Sequence, residues 1–337
     1  MLIRYSKKCY WGIILGMNNV ACIGMGTIGH SWATLFAVKG CNVSIYDVNI
    51  ELSKNSLNSI RASAAFLAEK GLIERRLAEA ALDKIRITEK LSECVAKADY
   101  VQESTFESYD VKQMVFSEID RINSYAIIAS STSGLLMSKI QKNTSKPERC
   151  IVAHPWNPPL LLKLVELVPG EKTSQQTIMK TYKFMEDLGK IPVIVKREIP
   201  GFIGNRLQAA LWREALSIIE KGVATVEDVD RVICAGPGAR WAIMGPFLTF
   251  HLGGGPGGIE YLIDNIQESM SEWYNSMDDW KSIPYHAAKK AIEEVKQLPK
   301  VKEKTFKELT EWRDKKLVKI LKIQEDSKHE DGPVAQH

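Results

Sequence analysis

This 337-residue sequence predicts an α/β architecture: a doubly wound, mostly parallel sheet followed by an all-α C-terminal region. Three observations predict it. Short apolar runs alternate with longer amphipathic ones from Asn19 to about Lys196, the rhythm of strands joined by crossover helices. A glycine-rich turn, Gly24-Met25-Gly26-Thr27-Ile28-Gly29, falls between the first apolar run and the first helical one. After Pro200-Gly201 the strand signal stops and helical periodicity takes over.

The strands are expected at 20–23, 43–46, 100–102, 126–129 and 150–153, with 164–168 and 193–195 extending the sheet. Helices are expected between them at 29–38, 51–70 and 111–122. Beyond the Pro-Gly pair, residues 202–221, 226–234 and the lysine-rich stretch 286–324 carry helical periodicity. The expected domains are 19–199 and 200–324, with 1–18 and the polar 325–337 as flexible tails. No internal repeat or low-complexity segment interrupts this order.

Composition narrows the function classes. With 45% hydrophobic and 26% charged residues, the chain has the make-up of an ordinary globular protein. Its 45 basic and 41 acidic residues leave a charge of +4 that is spread along the sequence, which gives no reason to expect nucleic acid. The six cysteines (Cys9, Cys22, Cys41, Cys94, Cys150 and Cys234) form no CxxC pair, so reduced thiols in a cytoplasm are expected, and no metal site. No apolar run approaches the roughly 18 to 20 residues that would span a bilayer. Lys7-Lys8 followed by residues 10–16 imitates a signal peptide but lacks a small-residue cleavage site. A tail, or a start codon upstream of Met17, is the expectation there.

The glycine turn has the strand-before, helix-after context of a dinucleotide site. Its first glycine permits a tight turn, its second lets backbone approach a pyrophosphate, and its third lets helix pack on strand. Gly24, Gly26, Thr27, Ile28 and Gly29 are therefore candidate cofactor residues in a Rossmann-type domain. Asp47 ends the next strand, where a carboxylate accepts from ribose hydroxyls and repels a 2′-phosphate. The expected cofactor is NAD. Taken alone, Asp47 also suits a helix cap.

His154 ends a predicted strand, at the edge where open α/β sheets bind ligands. Pro155, Pro158 and Pro159 stiffen the turn around Asn157, and the chain returns through an apolar run that Glu166 interrupts. A carboxylate among Leu164, Val165, Leu167 and Val168 needs a partner, because desolvating it alone costs several kcal/mol. His154 is the candidate, and such a pair fixes the imidazole tautomer and stabilises the imidazolium. Residues 130–134, Ser-Ser-Thr-Ser-Gly, and 200–206, Pro-Gly-Phe-Ile-Gly-Asn-Arg, could supply donors to a substrate oxygen. The serines equally suit a helix cap.

Taken in order, the glycine turn, Ser133-Gly134-Leu135, His154-Pro155-Trp156-Asn157-Pro158, Leu164-Val165-Glu166 and Gly201-Phe202-Ile203-Gly204-Asn205-Arg206 resemble the 3-hydroxyacyl-CoA dehydrogenase family. The resemblance implies a Rossmann domain followed by a helical dimerisation domain, and hence a homodimer. It implies that His154 is the general base and Glu166 its orienting partner, with Ser133 and Asn205 positioning the substrate oxygen. Glu107 and Lys112 match the family's dinucleotide contacts.

Residues 131–136, 153–155, 211–215 and 238–242 are more similar to a subgroup comprising lambda-crystallin, L-gulonate 3-dehydrogenase and carnitine 3-dehydrogenase. The acyl-CoA enzymes have a shorter segment where this chain has Arg240-Trp241-Ala242-Ile243. An arginine there suits a free carboxylate, and an interdomain ion pair is the plain alternative. Asn157 and Arg240 thus join Ser133 and Asn205 as candidate substrate contacts. The turn at 251–258 is similar to that of the carnitine enzymes, and Trp156 and Trp241 would suit a quaternary ammonium, whereas Gly204-Asn205-Arg206 follows the general family. The expected activity is oxidation of a small gulonate- or carnitine-like 3-hydroxy acid. An acyl-CoA dehydrogenase and a non-catalytic, crystallin-like NAD-binding protein are the competing readings.

Overall fold

The computed structural model describes residues 16–327, and side chains through Gln324. The Lys7-Lys8 segment, Cys9 and residues 328–337 lie outside the described residues.

The first half of the sheet comes from β1 (Asn19–Ile23), α1 (Thr27–Val38), β2 (Asn42–Tyr46), α2 (Ile50–Glu69), α3 (Arg75–Ala80), β3 (Ile85–Ile87) and α4 (Leu91–Val95). The second half comes from β4 (Tyr100–Glu103), α5 (Tyr109–Ile122), β5 (Ile127–Ser130), α6 (Met137–Ile140), β6 (Cys150–Pro155), β7 (Leu164–Pro169), α7 (Gln175–Asp187) and β8 (Ile191–Ile194). The eight strands lie in the order β3-β2-β1-β4-β5-β6-β7-β8. The chain therefore winds outward from β1 to one edge, returns to β4 beside β1, and winds to the other edge. This is the doubly wound sheet that the sequence predicts, and its switch point lies between β1 and β4. Every pairing is parallel except β6 with β7.

Each predicted strand is present, its ends shifted by at most two residues. β3 is an addition to the expected strands: its Ile85-Arg86-Ile87 is only three residues long and half-buried on the sheet's edge. Central strands are buried along their whole length, as they must be with helices over both faces. Two apolar clusters result. One, on the α1 and α7 side, stacks Trp32 on Phe36 at 5.3 Å and Phe36 on Phe184 at 5.7 Å. The other holds Val152, Val168, Phe116 and Phe202. Met17 is already buried in the first cluster, two residues before β1 begins.

Local chemistry sets several helix starts. Asn49 Oδ1 accepts from the Glu51 amide at 3.1 Å at the start of α2, and Ser174 Oγ accepts from Thr177 at 3.1 Å at the start of α7. Thr225 likewise caps the second of the helices that follow.

Those helices are α8 (Gly204–Glu220), α9 (Val226–Ala235), α10 (Pro237–Trp241), α11 (Pro246–Gly253), α12 (Gly258–Ser276), α13 (Tyr285–Gln297), α14 (Pro299–Glu303) and α15 (Phe306–Ser327). The lysine-rich stretch is thus three helices, with Pro299 opening the middle one. The chain divides into two compact units at Arg206 and Leu207. Within the second unit, Glu294 accepts from the Val226 amide at 2.8 Å, and Asp278 takes Ser217 Oγ at 2.5 Å and Lys221 Nζ at 2.8 Å.

No described helix is long and apolar enough to cross a membrane. Among the described residues, no three His, Cys, Asp or Glu side chains group as metal ligands, and the five described cysteines are free.

Candidate functional site

The parallel strands β1, β4, β5 and β6 bring Ile23, Glu103, Ser130 and Pro155 to one edge of the sheet. All of the chemistry predicted for the first unit lies at or just beyond that edge.

The glycine turn leaves β1 with Gly24 at φ +85, and a Cβ there would meet the Ser104 carbonyl at 2.6 Å. A Cβ on Gly29 would meet the Gly24 carbonyl at 1.8 Å, so α1 packs on the turn only because that side chain is missing. Gly26 has nothing within 4 Å of its Cβ position. This is the open place where backbone can come up against a pyrophosphate. No side chain caps α1 and no acid sits in its first turn, so its N-terminal amides and partial positive charge at Thr27 and Ile28 face outward. The residues present fit a dinucleotide.

Asp47 ends β2, and its carboxylate accepts from the Met25 amide at 2.7 Å and the Asn49 amide at 2.9 Å. It therefore ties the glycine turn to the second strand. The cap at the start of α2 is Asn49, not Asp47.

His154 and Glu166 face each other across the antiparallel pair β6 and β7, on the sheet face of Val152 and Val168. His154 Nδ1 lies 3.0 Å from Glu166 Oε2. Glu166 accepts three more bonds: Ile203 N at 2.9 Å and Gly204 N at 3.0 Å on Oε1, and Trp156 Nε1 at 3.3 Å on Oε2. Burial pushes this carboxyl's pKa up, but the bonds from His154, the Gly204 and Ile203 amides and Trp156 outweigh it and hold it below the ordinary carboxylate value. Glu166 is thus an anion, and the imidazole proton sits on Nδ1 facing it. His154 Nε2 has no hydrogen bond to any described residue.

Ser133 and Asn205 are also brought together, by a bond from Asn205 Nδ2 to the Ser133 carbonyl at 2.7 Å. Glu107 Oε1 holds the same turn, accepting from Thr132 Oγ1 at 2.6 Å and Ser133 N at 2.8 Å. Asn157 is exposed, at the cis Asn157-Pro158 bond. Arg240 lies in α10 of the second unit and is exposed.

Lys112 is buried, and its ammonium is shared between Glu103, at 2.9 and 3.2 Å, and the Thr105 carbonyl at 3.3 Å, with Glu107 at 3.5 Å. Glu103 is not among the site residues expected from the sequence. Its carboxylate also accepts from Thr105 N at 2.6 Å, Thr105 Oγ1 at 2.5 Å and Ser130 Oγ at 2.6 Å, locking the ends of β4 and β5 together. The signal was present, because Glu103 closes the apolar strand 100–103 much as Glu166 interrupts 164–168.

Residues 19–199 match the NAD-binding domain of 3-hydroxyacyl-CoA dehydrogenase, and residues 201–294 match that enzyme's C-terminal domain. The chain belongs to the 3-hydroxyacyl-CoA dehydrogenase family. An L-carnitine dehydrogenase of Oceanobacillus iheyensis is 36% identical over 92% of this chain and 99% of its own length. One from Streptomyces griseus is 41% identical over 76% of each. Among solved structures, 5-formyl-3-hydroxy-2-methylpyridine 4-carboxylic acid 5-dehydrogenase, described as an NAD+ dependent dismutase, superposes with a TM-score of 0.79 at 30% identity, covering 92% of this chain and 99% of that one. The (S)-3-hydroxybutyryl-CoA dehydrogenase of Ralstonia eutropha superposes with a TM-score of 0.62 at 27% identity, covering 77% of this chain and 88% of that one.

As a member of this family the chain is an NAD-dependent oxidoreductase acting on a CH–OH carbon, of the 3-hydroxy-acid dehydrogenase type. The non-catalytic reading is set aside.

Proposed function

We propose that the protein oxidises the 3-hydroxyl of a small free 3-hydroxy acid of the L-carnitine type to the 3-keto acid, with His154 as general base. The observation that carries the mechanism is the His154–Glu166 bond at 3.0 Å, beside an Nε2 atom with no bond to the described residues. With Nδ1–H donated to a carboxylate, Nε2 holds the lone pair. It takes the hydroxyl proton as hydride leaves the carbon, and Glu166 stabilises the imidazolium that forms. NAD supplies the hydride acceptor when bound. Ser133 Oγ and the Asn205 amide, fixed by its bond to the Ser133 carbonyl, orient the substrate oxygen.

Two findings support a free acid over a thioester. Curated relatives at 34–41% identity are named L-carnitine dehydrogenases, and the pyridine dehydrogenase above is named for a carboxylic acid. Arg240 would grip that carboxylate by two parallel bonds.

The decisive assay is NAD reduction at alkaline pH with L-carnitine, L-gulonate, 3-hydroxybutyrate and 3-hydroxybutyryl-CoA, on the wild type and Arg240→Met. L-Carnitine should be turned over best. Arg240→Met should raise its KM by roughly ten- to a hundredfold, the equivalent of a charge-assisted bond of about 1.5–3 kcal/mol. A preference for the CoA thioester, unmoved by Arg240→Met, would return the substrate to the acyl-CoA class.

The second unit supports a homodimer: α9 and α10 bury no residue, and Trp212, Phe247, Phe250, Tyr261 and Trp273 are exposed. Sedimentation at micromolar concentration should give twice the monomer mass. A reducing cytoplasm suits the free buried thiols of Cys22, Cys41, Cys94 and Cys150.

A further inference from the structure

We propose that Trp156 is a positioning residue for the base, its indole N–H sharing one Glu166 oxygen with the imidazole and so limiting how strongly that carboxylate supports His154. The proposal rests on the reading of His154 and Glu166 as the catalytic pair.

Glu166 has about four acceptor positions, and four donors occupy them. The Ile203 and Gly204 amides belong to the backbone, and the imidazole is the working group. The indole is therefore the donor that can be removed without altering the base or the chain. It approaches Oε2, the oxygen that His154 uses, and not the one held by the amides.

The seat of the indole is built into the same turn. A Cβ on Gly204 would lie 2.2 Å from Trp156 Cζ2, so the ring packs against Gly204 at a distance no other residue allows. The residue that donates to one Glu166 oxygen thus also seats the indole that donates to the other. Two residues earlier, Phe202 is fully buried with φ 53, a left-handed conformation disfavoured for a non-glycine residue. Its ring lies 5.6 Å from the imidazole, and that of Trp156 lies 6.0 Å from it. Glu166 is the charged group that pairs with His154 among the described residues.

The sign of the effect follows. Each donor draws on the same negative charge, so removing the indole N–H leaves more of it for the imidazolium. The acid limb of the oxidation profile should then move to higher pH. At 3.3 Å the bond is longer than the usual 2.9–3.0 Å or so, which makes the expected shift modest.

The test is Trp156→Phe, which keeps an aromatic ring on Gly204 and removes the donor. Its acid limb should rise by about 0.3–1 pH unit, a two- to tenfold loss of kcat/KM below the limb, with the alkaline plateau and NAD affinity much less affected. Histidine-selective NMR, with the His154 signal assigned from its loss in His154→Gln, should show the same upward movement. Gly204→Ala, which pushes the indole off its seat, should move the limb in the same direction. A limb that stays in place or falls in Trp156→Phe overturns the proposal. If His154→Gln itself kept near-normal turnover, the underlying assignment of the base would fail instead, so the two failures are distinguishable.

Discussion

Two carboxylates stand at the same edge of the sheet, Glu103 closing β4 and Glu166 in β7, and they are buried alike at 0% and 1% exposure. Both are saturated with donors. Glu103 is held by a backbone amide, two hydroxyls and the Lys112 ammonium. Glu166 is held by two amides, an indole and an imidazole, and of these donors the imidazole is the one that can serve as a general base. Burial of an acid therefore does not by itself mark chemistry. The chemistry of its partner does: Glu103 locks two strands together, and on the proposed reading Glu166 is half of a base.

The substitution that breaks this contrast most severely is His154→Gln. It should lower kcat by ~10²–10⁴-fold, the usual range for loss of a general base, while NAD binding persists because the glycine turn and Asp47 lie on other strands. Stopped-flow turnover alongside NAD titration checks both halves. Weakened NAD binding with unchanged chemistry would move His154 to cofactor positioning.

A smaller effect sharpens the contrast from the side of the cations. Lys112 is buried against a carboxylate, whereas Lys190 is buried against the Pro159 and Leu162 carbonyls and the face of Trp32, 5.6 Å away. Burial, with Lys163 and Lys39 nearby, lowers its pKa from 10.5 to about 7. The unfolded chain thus binds more protons than the folded one between those two values, and stability should rise with pH across that window. Lys190→Met should flatten that rise in denaturant unfolding measured at several pH values from 7 to 10. A slope unchanged by the substitution would assign it to other groups.

What was legible in the sequence follows the strength of local signals. The β1-turn-α1 unit was readable because Gly24 and Gly29 each answer to a separate steric demand, with the open backbone of Gly26 between them. Three-residue β3 was not, because alternation over Ile85-Arg86-Ile87 is too short to separate a strand from a loop. Helix was evident throughout 286–324, but the break at Pro299 was not, since a proline at the first position of a helix leaves the surrounding periodicity intact. The His154–Glu166 partnership could be inferred because an acid in an apolar run demands a partner. Glu103 carries the same demand but lies one residue beyond the strand expected at 100–102. That the Trp156 indole turns back to share Glu166 was not readable, because it depends on the bare surface of Gly204, 48 positions on in the numbering.

The most direct test of the account sets the two carboxylates side by side, by substituting each with glutamine and measuring unfolding free energy and the pH profile of alcohol oxidation. Glu103→Gln leaves the buried Lys112 ammonium with only the part-exposed Glu107, 3.5 Å away, as counter-charge, and should cost up to about 3–5 kcal/mol of stability with the acid limb of the profile unmoved. Glu166→Gln should lose far less stability, yet slow oxidation and shift the acid limb to lower pH, because the imidazolium has lost its anion. If instead Glu166→Gln kept the wild-type profile and only weakened the fold, Glu166 would be a second lock like Glu103, and the proposed base pair would be contradicted.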